Sequence, residues 1–423
     1  MRSMVEGACL QAQRQLESPH HHLRWSPSPC RGESMTPAAR VQSAIEIVDL
    51  ILTAAQGGGA SGDKIVGDWF RSHRFAGSKD RRAVRELVFA AIRACGPVPP
   101  SGRAAMLRLA QSDPALTALF DGSHHGPQPL ASDEPVGEGG TAPQWLEQRL
   151  RESGIAPGEW PALLERAPLD IRLNPLRGTA DLPQPGEALH TPLGLRFAAG
   201  TQVEQWDAFK AGQIEVQDAG SQLACLAVGA QPGETVIDLC AGAGGKTLAL
   251  AAAMANKGRL VACDVDRSRL SRLGPRSERA GIAIIEERLL NPGHEAEALA
   301  DLAGKADAVL VDAPCSGTGT WRRNPEARWR LSPAELQRVA ALQARLADLG
   351  AALVRPGGRL IFVTCSLLDC EGADQAEAFL QRHADWRAVA PHLPAGTPRG
   401  GGVRVTPARD ATDGFFIARF VSP

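Results

Sequence analysis

Two cysteines lie where thiols could carry out covalent chemistry. Cys315 follows the apolar run 308–312, Cys365 follows the apolar run 359–364, and both runs are predicted to be buried strands. In open α/β sheets, ligands bind beyond the carboxyl ends of the strands. A single cysteine is more often a small buried apolar residue than a nucleophile. Two cysteines, each at a strand end beside a polar turn, instead favour a pair of reactive thiols.

A glycine-rich turn follows another predicted strand, at 235–239. Its residues are Cys240, Ala241, Gly242, Ala243, Gly244 and Gly245, followed by Lys246 and Thr247. Glycines allow the backbone to approach a ligand and to adopt positive φ. A helix is predicted from residue 246, and the N-terminus of a helix offers unpaired N–H groups to a ligand. The turn is therefore a candidate binding site for a nucleotide-like molecule.

Three ligand-binding interpretations of this turn compete. A phosphate-binding Walker A loop needs a glycine five residues before Gly245, where Cys240 stands. A dinucleotide fingerprint that begins at Gly242 needs its third glycine where Thr247 stands. The favoured interpretation is the S-adenosylmethionine (SAM) loop of a methyltransferase, because Asp264 ends the next predicted strand, where a carboxylate can bind ribose hydroxyls. A purely structural glycine turn remains the alternative.

Cations and aromatic residues are interleaved in the segment 321–330, shortly after Cys315. Arginine side chains contact phosphates and aromatic rings stack on bases, so this segment is predicted to grip RNA. The alternative is an exposed helix cap with ordinary core tryptophans. The candidate RNA contacts are Arg322, Arg323, Asn324 and Arg328.

Short β-rich runs alternate with Ala- and Leu-rich helical stretches in the C-terminal half. The alternation predicts a parallel α/β sheet with helices on both faces. The last apolar run, 415–420, follows no helix directly and is predicted to be an antiparallel edge hairpin. The other predicted strands are 235–239, 260–264, 282–286, 308–312 and 359–364, and the predicted helices include 246–254 and 333–354.

The chain is predicted to divide into five parts. Residues 1–36, which include three consecutive histidines, are a disordered extension or follow a start codon assigned too early, and a metal tract is the alternative. Residues 37–125 repeat apolar residues at helical spacing and form a small all-helical domain. Residues 126–143 are a linker rich in Gly, Pro, Ser and Asp. Residues 144–210 form a connecting α+β subdomain, and residues 211–423 form the catalytic domain.

Four arginines of the helical domain lie off the apolar stripe of their predicted helix. This polar face is interpreted as exposed to solvent, and the more specific alternative is that it contacts an RNA backbone. The arginines are Arg81, Arg82, Arg85 and Arg93.

Composition excludes several classes of protein. A chain of 423 residues holds two or three domains at roughly 150 residues each. No run approaches the ~18 apolar residues of a membrane span. A formal net charge of −1 excludes a globally basic nucleic-acid binder, although not a local basic face. Nine cysteines without a CxxC pair argue against a zinc ribbon and predict a cytoplasmic protein with reduced thiols and no metal site.

Seven short motifs occur in a fixed order across the catalytic half: Val216-Gln217-Asp218, Cys240 to Thr247, Asp264-Val265-Asp266, Asp312-Ala313-Pro314-Cys315, Arg322-Arg323-Asn324-Pro325, Thr364-Cys365-Ser366 and Asp413-Gly414-Phe415-Phe416. With these motifs the chain resembles the RNA 5-methylcytosine methyltransferases of the RsmB/Nop/Sun family. The region 80–87 resembles, more weakly, the NusB-like RNA-binding domain of the ribosomal RNA branch.

The resemblance implies a fold and a set of partners. The C-terminus would be a class I, Rossmann-like sheet of a SAM-dependent methyltransferase, preceded by an all-helical NusB-like domain and a mixed connecting subdomain. The cofactor would be SAM and the partner RNA, most naturally ribosomal RNA. Neither DNA nor a membrane would be a partner, and the protein would be a monomer.

The resemblance also implies a role for each thiol. Carbon 5 of cytosine becomes nucleophilic enough to take a methyl group only after a thiolate adds to carbon 6. Cys365 would be that nucleophile, and Cys315 would release the enzyme by elimination. Asp312 would hold ring nitrogen 3 protonated as a general acid, and Lys246 would lower a thiol pKa or hold substrate.

The implied SAM site departs from the family pattern at two places. Its lining would be residues 240–246, Asp264 and Asp312. Gly242 and Ala243 stand where the family has Ala-Pro, and the Gly-Asp expected after the third strand is missing, with Asn291 as the available substitute. Three alternatives stay open: an RNA-binding assembly factor without turnover, a tRNA cytosine-5 methyltransferase, and an amino-group methyltransferase that the cysteine at 315 argues against.

Overall fold

Five helices form the N-terminal part of this computed structural model, which describes residues 34–423. The predictions for residues 1–33, including the histidine tract, lie outside the described residues. The Thr36 hydroxyl caps the first helix by accepting a hydrogen bond from the Ala39 N–H at 3.1 Å. Val41, Ile45 and Val48 recur at helical spacing, and all three are buried in the core that the helices share. Helices α1 to α5 are Pro37–Gln56, Gly62–Ser72, Ser78–Ala94, Gly102–Ala110 and Pro114–Thr117.

The predicted linker contains no helix or strand and runs along the helical core. Gly137 N–H donates to the Ala104 carbonyl at 2.9 Å, and Gly96 N–H donates to the Glu138 carbonyl at 3.0 Å. Arg103 pairs with Glu134 at 2.8 Å. These contacts fasten the segment to the helices that precede it.

The connecting part contains three short helices and an antiparallel sheet. Its four strands are ordered β2-β3-β1-β4 and enclose a small core around Ile171, Phe197 and Ile214. Helices α6 to α8 are Gln144–Glu152, Pro161–Leu164 and Asp207–Lys210, and strands β1 to β4 are Leu169–Leu173, Glu187–Ala188, Gly194–Phe197 and Ile214–Val216.

A nine-stranded sheet organises the C-terminal half, and it confirms the predicted Rossmann-like class. The strand order is β11-β12-β13-β9-β8-β5-β6-β7, with β10 paired to β13. The five strands from β7 to β9 in this order are parallel, whereas β10 to β13 pair antiparallel. Strands β5 to β13 are Thr235–Asp238, Arg259–Asp264, Ile285–Leu289, Ala306–Asp312, Val354–Thr364, Arg387–Ala388, Thr397–Arg399, Gly402–Val405 and Phe415–Val421.

Both faces of this sheet are covered by helices. Successive strand residues point to opposite faces, so Val236 enters one apolar core and Ile237 enters the other. Among residues 34–423, no helix is both long and apolar enough to cross a bilayer. Helices α9 to α16 are Ala219–Val228, Gly245–Ala253, Arg267–Leu270, Leu273–Ala280, Glu295–Ala298, Pro333–Leu353, Ala373–Arg382 and Pro407–Asp410.

Two strand predictions need correction. Strand β7 begins at Ile285 and not at Ile282, because α12 ends on Gly281 in the left-handed conformation (φ 71°) and Ile282 packs beneath it. The run 415–420 is antiparallel, as predicted, but it lies between β9 and β12 and not at the edge. Phe416 and Ile417 are buried on opposite faces of the sheet, as expected of an interior strand.

Candidate active site

Two adjacent strands bring the predicted thiols together. Strands β8 and β9 are parallel neighbours, with Asp312 opposite Val363 and the Ala313 N–H donating to the Val363 carbonyl at 2.8 Å. The turns after these strands place the sulfurs of Cys315 and Cys365 within 3.2 Å, a hydrogen-bonding distance. The seven cysteines of the described residues are free thiols. Two residues 50 positions apart in sequence therefore form one dithiol site.

The environment of the two thiols is asymmetric. The hydrogen bond to Cys365 and burial raise the pKa of the Cys315 thiol well above its ordinary value, and the charges of Cys365 and Glu371 add to the rise. The raised pKa favours the protonated form of Cys315, and either sulfur can donate the hydrogen bond between them.

A buried cation lies beside the thiols. Lys246 is the second residue of α10, and its Nζ donates to Asp312 Oδ2 at 2.6 Å. Burial is the largest single influence and lowers the pKa of Lys246, but the charge and the hydrogen bond of Asp312, together with smaller charge effects, raise the pKa overall. The charge of Cys365 contributes to the same rise, so the ammonium and this sulfur interact. The structure pairs Asp312 with this ammonium, and its implied role as a general acid stays a prediction.

The glycine loop needs glycine at two positions because of its backbone conformation, and it has free space beside a third glycine. Gly242 and Gly244 adopt positive φ (57° and 87°), and a Cβ at Gly244 would clash with Leu273. A Cβ added at Gly245, in contrast, would meet no atom within 4 Å. The loop therefore has free space next to the first turn of α10, where N–H groups are available to a ligand. A nucleoside ligand such as SAM fits this space.

The acidic residue after β6 is buried and holds the glycine loop. Asp264 Oδ2 accepts a hydrogen bond from the Gly242 N–H at 2.7 Å, and Oδ1 accepts one from the Asp266 N–H at 2.7 Å. Each oxygen keeps a second lone pair for a ribose hydroxyl. Asn291 is exposed two residues after the end of β7, and its role in binding the cofactor stays a prediction.

A buried aspartate that the sequence analysis overlooked lies under the loop. Asp238 ends β5 with no exposed surface, and its Oδ2 accepts a hydrogen bond from the Thr247 hydroxyl at 2.7 Å. Its Oδ1 has no partner among the described residues. Burial raises the pKa of Asp238 to about 7, and the charge of Asp312 adds to the rise. An acidic residue inside an otherwise apolar strand was the available signal.

The structure contradicts the predicted RNA contact at Arg328. The side chain is fully buried and donates to the carbonyls of Ile92 and Cys95 in the helical domain, at 2.7 and 2.5 Å. Burial lowers the pKa of its guanidinium to about 9. Trp329, the next residue, lies in the core of the helical domain and donates its ring N–H to the Gly96 carbonyl at 3.0 Å. This part of the segment joins two domains and does not face RNA.

The other residues predicted to contact RNA form hydrogen bonds or ion pairs within the protein, or are partly buried. Arg322 is buried and donates to the Thr412 carbonyl at 2.9 Å, so its predicted RNA contact is wrong as well. Arg323 is held between Asp413 at 2.6 Å and Asp218 at 3.1 Å. Asn324 is half-buried at the start of a short 3-10 helix, and its RNA contact stays a prediction. The RNA contact of Arg323, whose side chain is 32% exposed, stays a prediction. Arg322 and Arg328 were misassigned because a local motif does not reveal which part of the protein will cover it.

The strand order, the glycine loop after β5 and the carboxylate after β6 define a class I methyltransferase. The family model of the 16S rRNA methyltransferase RsmB/F matches residues 225–421. The probable ribosomal RNA small subunit methyltransferase B of Synechocystis sp. is 35% identical over 305 residues, which cover 67% of each chain. The chain therefore belongs to the RsmB/F family of SAM-dependent methyltransferases.

Further relatives support this assignment. Ribosomal RNA small subunit methyltransferase B of Pectobacterium atrosepticum is 34% identical over 292 residues, 66% of each chain, so the match spans about two thirds of such relatives. The crystal structure of PH0851 has the same fold over 92% of this chain and 100% of its own, with a TM-score of 0.70 and 24% identity. A methyltransferase homolog from Pyrococcus horikoshii, 25% identical, covers 66% of this chain and 95% of its own with a TM-score of 0.57.

Asp238 is expected to make stability depend on pH. Because its pKa is raised in the folded state, the folded protein holds a proton that the unfolded chain has lost between about pH 4 and pH 7. Wild-type stability therefore falls through this window. Asp238→Asn, which keeps an acceptor for Thr247, should gain about 1–4 kcal/mol of unfolding free energy relative to wild type as pH rises from 4 to 7. Urea denaturation across pH measures this difference, with the exposed Asp385→Asn as the control. A constant difference across the window would contradict the assignment.

Arg328 is expected to contribute to stability and not to RNA affinity. Arg328→Met leaves buried carbonyls of the helical domain without donors, so the unfolding free energy should fall by about 2–4 kcal/mol. Arg338→Met, at a side chain 63% exposed on α14, should change it by less than about 0.5 kcal/mol. RNA affinity measured where both variants are folded should match wild type. If Arg328→Met had the stability of wild type but bound RNA more weakly, the result would support an RNA contact of Arg328.

Proposed function

We propose that the protein methylates carbon 5 of a cytosine in ribosomal RNA. The observation that carries this proposal is the pair of sulfurs 3.2 Å apart at the carboxyl ends of β8 and β9. A methyltransferase that acts on a nucleophilic nitrogen or oxygen needs no thiol. Carbon 5 of cytosine, in contrast, requires covalent addition at carbon 6 before it can attack a methyl group. Two thiols suit a reaction that must both form and break this carbon–sulfur bond.

Addition is assigned to Cys365. Its thiolate forms the bond to carbon 6, and the proton that the thiol gives up is matched by the proton gained at ring nitrogen 3. The Asp312 carboxylate, held by Lys246 at 2.6 Å, accepts a hydrogen bond from this protonated nitrogen. When bound, SAM would supply the electrophilic methyl group for carbon 5, with its methyl–sulfur bond breaking to leave S-adenosylhomocysteine. The target base has to leave its stack to reach these residues.

Release is assigned to Cys315. The hydrogen bond and the charge of Cys365 are among the causes that raise the pKa of Cys315, and both disappear once Cys365 is bonded to carbon 6. The pKa of Cys315 therefore falls, so its thiol can release its own proton to solvent and, as a thiolate, remove the proton from carbon 5. The electron pair left on carbon 5 forms the 5,6 double bond and expels the Cys365 thiolate.

The RNA backbone is assigned to a cleft between the helical domain and the connecting part. The cleft has a volume of about 660 Å³ and is lined by four arginines, by Glu86 and by residues around Gly200. Arg82 and Arg166 are exposed there, and Arg166 lies 3.6 Å from Glu86 across the domain boundary. Exposed guanidinium groups of two domains that converge on one polar cleft suit phosphate contacts. The arginines are Arg81, Arg82, Arg85 and Arg166.

The two thiols are expected to give opposite phenotypes. Cys365→Ala cannot add to carbon 6, so it should form no covalent complex and no 5-methylcytosine. Cys315→Ala can add and methylate but cannot eliminate, so a protein–RNA adduct should accumulate and survive denaturation. Denaturing gels with ribosomal RNA and SAM distinguish the two outcomes. Each substitution should cost only about 1–2 kcal/mol of stability.

The control for this contrast is Cys370→Ala, which removes a thiol outside the dithiol site and should leave turnover unchanged. An adduct with Cys365→Ala and none with Cys315→Ala would reverse the two roles. Active enzyme from both variants, without any adduct, would exclude covalent catalysis. Binding of ribosomal RNA without 5-methylcytosine formation by the wild type would favour the assembly factor.

The arginine cleft is expected to determine the salt dependence of RNA binding. Arg82→Gln combined with Arg166→Gln removes two phosphate contacts, so the slope of log affinity against log salt should fall by about 1–2. Arg338→Gln combined with Arg382→Gln, on α14 and α15, makes the same change of charge away from the cleft. Fluorescence anisotropy with a ribosomal RNA fragment over a salt series measures both slopes. Equal slopes for wild type and the cleft variant would show that the arginines of the cleft do not contact RNA phosphates.

A further inference from the structure

A buried carboxylate lies beneath the two thiols. Glu371 has no exposed surface and belongs to the short 3-10 turn Asp369–Glu371 that follows β9. Four donors surround the carboxylate: the Ser316 N–H at 2.8 Å, the Ser316 hydroxyl, the Ser366 hydroxyl at 2.6 Å and the Gln343 amide at 3.0 Å. Four donors match the lone pairs of an ionised carboxylate. Within residues 34–423, Glu371 has no ion-pair partner.

The serines on this carboxylate are the residues next to the thiols. Ser316 follows Cys315 on the β8 turn, and Ser366 follows Cys365 on the β9 turn. Glu371 is therefore bonded to both turns at once, one residue away from each sulfur. The two serine hydroxyls also lie 3.3 Å apart, within hydrogen-bonding distance. The two turns are therefore connected by a direct contact between the serines and by the hydrogen bonds of both serines to Glu371.

Stability alone does not explain a glutamate at this position. Burying a carboxylate without a cation costs free energy that an apolar side chain of similar volume would not cost. Polar groups that are retained at such a cost are often found where geometry matters for function. The charge of Glu371 also contributes, after the hydrogen bond to Cys365 and burial, to the raised pKa of Cys315.

We propose that Glu371 is a positioning residue: its buried carboxylate binds the serines that follow Cys315 and Cys365 and thereby sets the separation of the two sulfurs. This role rests on the proposed function, in which both sulfurs must reach one cytosine ring, Cys365 at carbon 6 and Cys315 at the proton of carbon 5. Displacement of reacting groups by about 1 Å is enough to slow an enzyme by a factor on the order of 10².

The first arm of the test measures turnover. Glu371→Gln replaces an acceptor oxygen by an N–H₂ group that cannot accept from the serines, so kcat should fall roughly 100-fold while KM for RNA and for SAM stays near the wild-type value. Glu371→Asp keeps the charge and should recover part of kcat. Ser316→Ala and Ser366→Ala, which each remove one hydroxyl, should each cause a smaller loss. Glu377→Gln, at an exposed glutamate of α15, is the matched control and should behave as wild type.

The second arm needs no catalysis. Iodoacetamide alkylation of Cys315, followed by peptide mass spectrometry across pH, reports the proton on this thiol. Glu371→Gln removes a negative charge, so Cys315 should become reactive at a lower pH than in wild type, and Glu371→Asp should remain close to wild type. Suppose that the wild-type protein makes no 5-methylcytosine, but that Cys315 still becomes reactive at a lower pH in Glu371→Gln than in wild type. This result would refute the proposed function and keep the positioning role.

Two results would overturn the positioning role. The first is a Glu371→Gln variant with the wild-type kcat and the wild-type alkylation profile. The second is a loss of kcat that disappears when activity is divided by the folded fraction, with an unchanged alkylation profile. If Glu371→Gln does not fold, Ser316→Ala and Ser366→Ala test the positioning role in its place. Wild-type kcat in both serine variants would then overturn the positioning role.

Discussion

The pairing of β8 with β9 is the constraint on which the site depends. Parallel pairing brings the ends of these strands to the same edge of the sheet, and the register of Asp312 with Val363 brings the following turns level with each other. A shift of one residue would turn every side chain of β9 to the opposite face and remove Cys365 from its partner. The apolar residues on both faces of β8 and β9 fix this register, so packing of the core determines the distance between the sulfurs of Cys315 and Cys365.

The second feature is that one short segment belongs to both the active site and the helical domain. The segment that begins after Cys315 reaches Trp321, buried beneath the connecting part, and ends at Trp329, buried among the helices. Gly62 of α2 donates its N–H to the buried Glu326 in the same segment at 2.7 Å. The helical domain, which lines the cleft proposed for RNA, is therefore attached directly to the segment that follows Cys315.

Local patterns in the sequence were sufficient for the sheet and for the dithiol site, because period-two apolar runs and strand-end positions are set by neighbouring residues. The start of β7 was misjudged because Ile282 is apolar for a different reason, the packing of α12. The arginine assignments failed for a long-range reason: Arg328 is buried by carbonyls 233 and 236 positions earlier in the chain. Long-range partners also determine the surroundings of Glu371, which binds Ser316 and Gln343, and of Arg166, which pairs with Glu86 of the helical domain.

The place of Trp329 has a consequence for synthesis of the protein on the ribosome. Helices α1 to α4 leave the ribosome early, but their core contains Trp329, more than 200 residues further along the chain. At about 5–20 residues per second, the helices wait on the order of 10–50 s for this side chain. During that interval the nascent helical domain exposes an apolar gap, which a chaperone that binds nascent chains could occupy.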